Sequence, residues 1–598
     1  MRMLRRLLKI AAVAISALLL VATGLWLYGE TRWGAWTPAS PETAFIHGPI
    51  GLETFPLKYA LVLEQVSGTA FRTGGEDGRS LWRTYGFLDN PRADLDAKPA
   101  CVDNAADKLP VGFAISQYMP VKAFQLPLAF AGLTCAACHS ATLHLADERR
   151  LGPFYGAANQ ELDIIAWSDG VRSAVLDPGL SATRILDAYE ARCGKATGLW
   201  DRTVGAWLER AMISAWLGGM NSAVGDDLSR YDLPFAGPKL KEAADMPAGP
   251  GRTRPFRSIV RVALQLPGAE NMALSKLPVV FEQTTALRPY SQYDGSIGNP
   301  TTRSMVAAYA SGASVLVLSR PEVAHNVRGA AAYTEDLGIG VKVPRYRDLF
   351  PDKAPDPQRV AAGFAIYQRA CNACHGNRPA DDQPWSLVGA GDIHKIVPVA
   401  EIGTDAARLT FRYADMLPLA IQTSLPRWAA DLQSQKDALT AQAAASAAAG
   451  DLARDYLWRR QLAQLELASR EFRLGHPLGF PADQIRYTQG YINNPIPRTF
   501  LRAPYLHNGS VPTLRQLINL DRRPAVFCRG DNIYDPDAVG LLTPEPDAAG
   551  RCPVRQSFRF DTTAPGNGNA GHDYPWRYAD PNRDPAALEN LLEYLKTL

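Results

Sequence analysis

The sequence predicts a mainly α-helical protein: two domains with long loops and helical insertions, behind one N-terminal transmembrane helix. Three observations carry that expectation. They are an apolar run at residues 10–28, two Cys-x-x-Cys-His motifs 236 residues apart, and helical stripes of apolar residues that bracket the second motif. A chain of 598 residues, 46% hydrophobic, is long enough for several buried cores. With a net charge of only +3 and both signs mixed along it, it has no basic stripe of the kind nucleic acid requires.

Residues 1–9 carry Arg2, Arg5, Arg6 and Lys9, and Ile10 to Tyr28 then holds nothing more polar than Ser16 and Thr23. At 1.5 Å per residue that run spans about 28 Å, close to a bilayer core. The preceding charges would keep residues 1–9 in the cytoplasm and send the remainder across the inner membrane into the periplasm. A cleaved signal peptide, which would release the protein as a secreted one, is the alternative, although the run is long for it and no clear A-x-A site follows.

Four of the eight cysteines lie in Cys135-Ala136-Ala137-Cys138-His139 and Cys371-Asn372-Ala373-Cys374-His375. With eight cysteines and nine histidines in the chain, the pattern would arise by chance only about 0.002 times. Two thiols three residues apart can bond both vinyl groups of one porphyrin, and the next histidine then lies under its iron. The expectation is two covalently bound c-type haems, with His139 and His375 as proximal ligands. A zinc site or a thioredoxin-type pair would not call for the histidine that follows each motif.

The spacing of the motifs suggests one haem per domain, 29–345 and 346–598, divided at a proline-rich connector that includes Pro344, Pro351, Pro355 and Pro357. Asp356-Pro357 then has the form of an N-cap and first helical residue, with Val360, Phe364 and Tyr367 on one face. Asp584-Pro585 repeats the signal ahead of Leu588, Leu591, Leu592 and Leu595. Helices so placed resemble the terminal pair of a cytochrome c fold. Residues 426–472 are alanine-, glutamine- and arginine-rich and predict a long helical insertion broken at Gly450, with no chemistry of its own. Of the other cysteines, Cys528 and Cys552 are the first candidate disulfide and Cys101 with Cys193 the second, free buried thiols being the alternative for both.

Function turns on the distal ligands, because a bis-histidine iron mainly transfers electrons, whereas one with an open sixth position binds oxygen or peroxide. Met416 is the only methionine after Met305, so attention falls on His507 and His572, and spacing does not choose between them.

The string from Ala503 to Leu514, Ala-Pro-Tyr-Leu-His-Asn-Gly-Ser-Val-Pro-Thr-Leu, resembles the signature of the dihaem cytochrome c peroxidase superfamily. Leu109-Pro110-Val111-Gly112-Phe113, Gly132 to His139, Gly249-Pro250-Gly251-Arg252, Tyr293-Asp294-Gly295 and Gly571-His572-Asp573-Tyr574 are similar to the large branch containing the bacterial rubber oxygenases. The likeness covers most of residues 55–598. It implies an active haem on His139 that uses peroxide or dioxygen, and a bis-histidine haem on His375 and His572 that carries electrons from a periplasmic donor. It implies that His507 supports the interface or a propionate, that Phe256 stands over the active haem, and that a calcium ion between the domains, present in some related peroxidases, is an open question. The chain departs from the rubber oxygenases in its shorter C-terminal side, its apolar N-terminus and its alanine-rich insertion, which puts the substrate in doubt. The rival reading is a non-catalytic dihaem electron carrier.

Overall fold

The computed structural model describes residues 40–67, 81–90, 109–116, 128–231, 248–253, 274–410, 433–450, 488–574 and 585–598 apart from a few short gaps, with isolated positions at 9–24 and 455–462. Cys101 and Phe256 lie outside the described residues, as does most of the expected insertion. Within that insertion residues 436–448 are helical, and Gly450, at φ 71°, follows the helix end.

The first half opens with α1 (Pro41–His47), capped by the Ser40 hydroxyl accepting from the Thr43 amide at 3.2 Å. Helix α2 (Leu57–Val66) is apolar on nearly every side and is buried accordingly. The one-turn α3 (Cys135–Cys138) carries the first motif, and α4 (Ala182–Cys193) packs against α2. The longest helix, α5 (Val204–Tyr231), sends Glu209 to Lys58 at 2.6 Å. Helices α6 (Pro300–Ala310) and α7 (Pro321–Asp336) pack together, and α7 also covers α1.

Strands are short. β1 (Phe55–Pro56), β2 (Phe113–Ser116) and β3 (Phe130–Leu133) form an antiparallel sheet in the order β1-β3-β2. β4 (Ser140–Leu145) and β5 (Arg150–Tyr155) form a hairpin directly after the first motif. β6 (Arg252–Thr253) pairs with β7 (Ser275–Lys276), and β8 (Tyr290–Ser291) with β9 (Ile297–Gly298). In the second half, α8 (Pro357–Ala370) leads into α9 (Asn372–His375), with Asp356 capping α8 by accepting from the Arg359 amide at 2.8 Å. β10 (Ile396–Pro398) pairs with β11 (Gly490–Ile492), and β12 (Val526–Arg529) with β15 (Phe558–Asp561). β13 (Ile533–Asp535) pairs antiparallel with β14 (Gly540–Leu542) and parallel with β4 of the first half, giving the order β14-β13-β4-β5. Helix α10 (Pro585–Leu595) closes the described chain.

Two expectations are corrected. The molecule is not mainly α-helical, because six small sheets share its interior with the helices. Their strands run two to six residues and several are buried on both faces, so they carry none of the alternation that reveals a half-buried strand. Nor is the membrane anchor carried over: no helix among the described residues is long and apolar enough to cross a membrane, which overturns the expected span at 10–28 and the membrane-anchored location built on it. Parts of that run lie outside the described residues.

The division near residue 345 is crossed by the β4–β13 pairing and by a continuous apolar core that holds Phe130, Phe281, Tyr367 and Leu588 together. Helices α8 and α10 cross closely, with Tyr367 and Tyr594 rings 4.9 Å apart. Cys528 and Cys552 form a disulfide that closes a loop with a sequence separation of 24.

The α8–α10 contact depends on Gly363, where an added Cβ would stand 1.9 Å from the Asn590 carbonyl oxygen. Gly363→Ala is expected to cost about 3 kcal/mol in urea denaturation by overpacking, while Ala361→Ser on the exposed face of α8 should leave the midpoint unchanged. Glu53, fully buried, accepts from the Ile50 amide at 3.0 Å, and burial pushes its pKa up from 4.5 to about 7. The folded state therefore holds a proton that the unfolded state has lost across that window, so stability should fall as pH rises from 4.5 to 7 and stay low above it. Denaturation of Glu53→Gln, which cannot ionise, should show the variant gaining roughly 3 kcal/mol over the parent at pH 8 and little at pH 4.

Candidate functional site

Thr134 shapes the first motif. Its hydroxyl donates to the Ile46 carbonyl at 2.9 Å and accepts from the Ala136 amide at 3.3 Å, which starts the single turn of α3. The turn sets Cys135 and Cys138, both half-buried, against the core, where desolvation pushes their thiols up to about 11 and about 12. Thiols held protonated in this way are poor disulfide-exchange nucleophiles. His139 donates from Nδ1 to the Pro278 carbonyl at 2.9 Å, and burial lowers its pKa to about 4. The ring is thus neutral, its tautomer is fixed, and Nε2 keeps a lone pair for a metal.

The second motif repeats the arrangement on different supports. His375 donates from Nδ1 to the Asn494 carbonyl at 2.8 Å and its pKa is lowered by burial. Trp385 donates from its indole nitrogen to the His375 carbonyl at 2.9 Å. Opposite it stands His572, with ring centroids 6.1 Å apart and planes at 45°. His572 holds a left-handed backbone at φ 59°, after Gly571 at φ 85°, and its amide donates to the Ile402 carbonyl at 2.9 Å. Non-glycine residues occupy that region at a cost and are found where a side chain must be aimed. Burial lowers the His572 pKa to about 4, and its Nδ1 has no hydrogen-bond partner among the described residues.

His507 stands apart from both pairs. Its ring stacks on Tyr491 with centroids 4.6 Å apart, its Nε2 meets the Tyr491 hydroxyl at 3.0 Å, and that hydroxyl also donates to the Asp405 carbonyl at 2.8 Å. His144, Glu161 and Asp531 have ligand atoms within 4.8 Å of one another where the halves meet. Asp531 already accepts from His144 at 2.9 Å and pairs with Arg150 at 3.4 Å and Arg555 at 3.2 Å. This is an ion-pair network that fixes β4 beside β13, and its carboxylates are already balanced by guanidiniums.

Residues 490–528 match the family described as RoxA-like, cytochrome c-like. The match runs from β11 through Asn494, the acceptor of His375, to Cys528, and it ties the chain to RoxA-like cytochromes c and to haem. Two proteins of Sinorhizobium fredii are also similar. The uncharacterized protein y4iJ is 28% identical over 367 residues, 56% of this chain and 57% of that protein. The uncharacterized protein y4iM is 35% identical over 125 residues, 18% of this chain and 27% of that protein. The chain therefore spans just over half the length of one relative and about a quarter of the other.

The residues fit a haem iron at the second motif. With a metal–imidazole bond of roughly 2.0–2.1 Å and roughly 1.1 Å from ring centre to nitrogen, two histidines on opposite sides of one metal would hold their centroids about 6.2–6.4 Å apart. The His375–His572 separation is 6.1 Å. Among the described residues no second imidazole faces His139 in this way.

Several residues around these sites carry no sequence motif. Glu282 and Arg378, both buried, form an ion pair at 2.5 Å, and the Arg378 guanidinium lies 5.3 Å from the Trp385 ring centre. Glu282 is four positions beyond Pro278, so the supports of the two proximal histidines touch. Charged residues at these positions look like solvated surface in a sequence, and only the fold reveals their burial. The proline neighbours of the acceptor carbonyls, Pro278 itself and Pro495 after Asn494, were the available signal.

An added Cβ at Gly571 would stand 2.4 Å from the Gly403 carbonyl carbon and the Thr404 amide nitrogen, besides disfavouring its φ. Gly571→Ala should therefore pull His572 out of line. The expected result is a haem-loaded protein with a reduced low-spin fraction in its optical spectrum; an unaltered fraction would mean that the loop does not set the histidine.

Proposed function

We propose that the chain is a dihaem c-type cytochrome oxidoreductase with unlike haem sites. Cys135, Cys138 and His139 would hold the first haem, and Cys371, Cys374, His375 and His572 the second. The observation that carries this reading is the asymmetry of the imidazoles: His375 has a partner at the spacing one iron requires, and His139 has none among the described residues. A haem with an open position supplies binding and activation of a small oxidant such as peroxide or dioxygen, and a bis-histidine haem supplies electron transfer.

The chain's own residues do the rest. Pro278 and Asn494 fix each proximal histidine as the Nδ1–H tautomer, which keeps the other nitrogen basic and aimed. His572 closes the second site against exogenous ligands. Glu282, Arg378 and Trp385 keep the two sites in fixed relation through contacts that admit no bulk water. His507 and Tyr491 stiffen the segment beside Lys276, whose amide donates to the His507 carbonyl at 2.8 Å. The resemblance to the dihaem peroxidases and the rubber oxygenase branch supports an enzyme, with an organic substrate or an electron donor as partner. The rival, a non-catalytic electron carrier, requires a strong protein ligand opposite His139.

The test is electron paramagnetic resonance and optical spectroscopy on the purified, haem-loaded chain, oxidised, with peroxide, and reduced under carbon monoxide. One low-spin haem inert to ligands beside one that binds them is expected; two inert low-spin haems would make the chain an electron carrier. In His572→Ala the inert haem should turn high-spin while both haems stay covalently attached. A low-spin spectrum in that variant would remove His572 as ligand and point to His507.

A further inference from the structure

Cations crowd the second haem site without matching anions. Arg288 donates to the Pro495 carbonyl and Arg502 donates from Nε to the Pro497 carbonyl at 2.8 Å, so both guanidiniums grip the segment whose Asn494 carbonyl receives His375. Each has a buried nitrogen with no hydrogen-bond partner among the described residues: Nε of Arg288 and Nη2 of Arg502. Both charges act on His375, and each acts on the other. Among the described residues the carboxylate whose field reaches both is Glu282, and its Oε1 is already taken by Arg378. Burial lowers the pKa of Arg288 to about 9 and that of Arg502 to about 10.

A buried guanidinium with an idle N–H is expensive unless a hydrogen-bonding anion meets it. Arg303, beside the first motif, gives the contrast: its two terminal nitrogens are occupied by Gln283 at 2.6 Å and Thr334 at 2.9 Å. Among the described residues Arg288 and Arg502 have no such neutral acceptors for their idle nitrogens. Idle nitrogens occur on other buried arginines as well, Arg378 among them, so what singles out Arg288 and Arg502 is their place beside the His375 support. The partner that suits them is a carboxylate or similar oxyanion, because charge-assisted bonds to planar anions are what a guanidinium is built to make.

We propose that Arg288 and Arg502 are the clamp for the propionates of the haem on His375 and His572, and that their charge raises that haem's reduction potential above the potential of the same ligand pair without them. The inference rests on the dihaem reading above. Positive charge held beside the porphyrin in a dry site favours the reduced iron, which carries one positive charge fewer. The two arginines are thus positioning and tuning residues, distinct from the histidines that bind the metal.

The experiment uses the haem-loaded full chain and its Arg288→Met, Arg502→Met, Arg288→Lys and Arg502→Lys variants. Spectroelectrochemistry reads the potential of the low-spin haem, with the other haem as internal reference, and resonance Raman reads propionate bending. Each methionine variant should disfavour reduction of the low-spin haem about tenfold, a fall of 59 mV for one electron, and shift its propionate mode. The lysine variants should regain most of the potential while the Raman shift persists. Equal potentials in parent and methionine variants would overturn the proposal. If the methionine variants do not fold, the propionate mode of the unaltered protein decides: a frequency matching water-solvated carboxylates overturns it, and a hydrogen-bonded one supports it. Absence of any bis-histidine low-spin haem in the parent would instead defeat the dihaem reading on which the clamp rests.

Discussion

The buried pair of Glu282 and Arg378 is the constraint on which the arrangement of the two motifs depends. Each is almost wholly removed from water, so either one alone would be an uncompensated charge in the core. Glu282 is held at φ 48° with its amide donating to the Leu337 carbonyl at 2.7 Å, and Arg378 is clasped by Tyr594, whose hydroxyl donates to its carbonyl at 3.0 Å. Through Tyr594 the pair reaches α10, through Trp385 it reaches His375, and through the short run back to Pro278 it reaches His139. A single electrostatic contact thereby couples the terminal helix, both proximal histidines and the seam between the halves.

Chemistry was far more legible in the sequence than architecture. The two motifs, the capped start of α8 and the leucine stripe of α10 are local signals, and local signals survive without a fold. The small sheets were invisible because strands of two to six residues, several of them buried on both faces, are too short to show a period. Arg288, Arg378, Arg502 and Glu282 were invisible for a different reason: a charged side chain announces solvent until the packing around it is known. The disulfide between Cys528 and Cys552 was the first of the two candidate pairs, and proximity in a turn-rich stretch was a fair guide to it. For the apolar run at 10–28, no helix among the described residues is long and apolar enough to cross a membrane, and about half of the run lies outside those residues.

The two histidine sites share a design and differ in one respect. Both proximal rings donate Nδ1–H to a carbonyl beside a proline, both have a pKa lowered by burial, and both follow a half-buried pair of thiols. Only His375 is answered by another imidazole, delivered by the strained Gly571-His572 corner. A corner of that kind is stable because the Ile402 carbonyl and the close backbone at Gly403 leave it no alternative.

The parallel pairing of β13 with β4 bears on how the chain comes into being. Ile533 lies against His144, so the strand directly after the first motif stays an open edge until the late residues arrive. Synthesis at 5–20 residues per second puts roughly 20–80 seconds between the two strands. Until then β4 is paired with β5 alone, and Ile533 and Tyr534 are not beside His144 and Leu145. The sheet order β14-β13-β4-β5 is therefore complete only after residues 533–542 have been made, which puts the seam between the halves among the late contacts of folding.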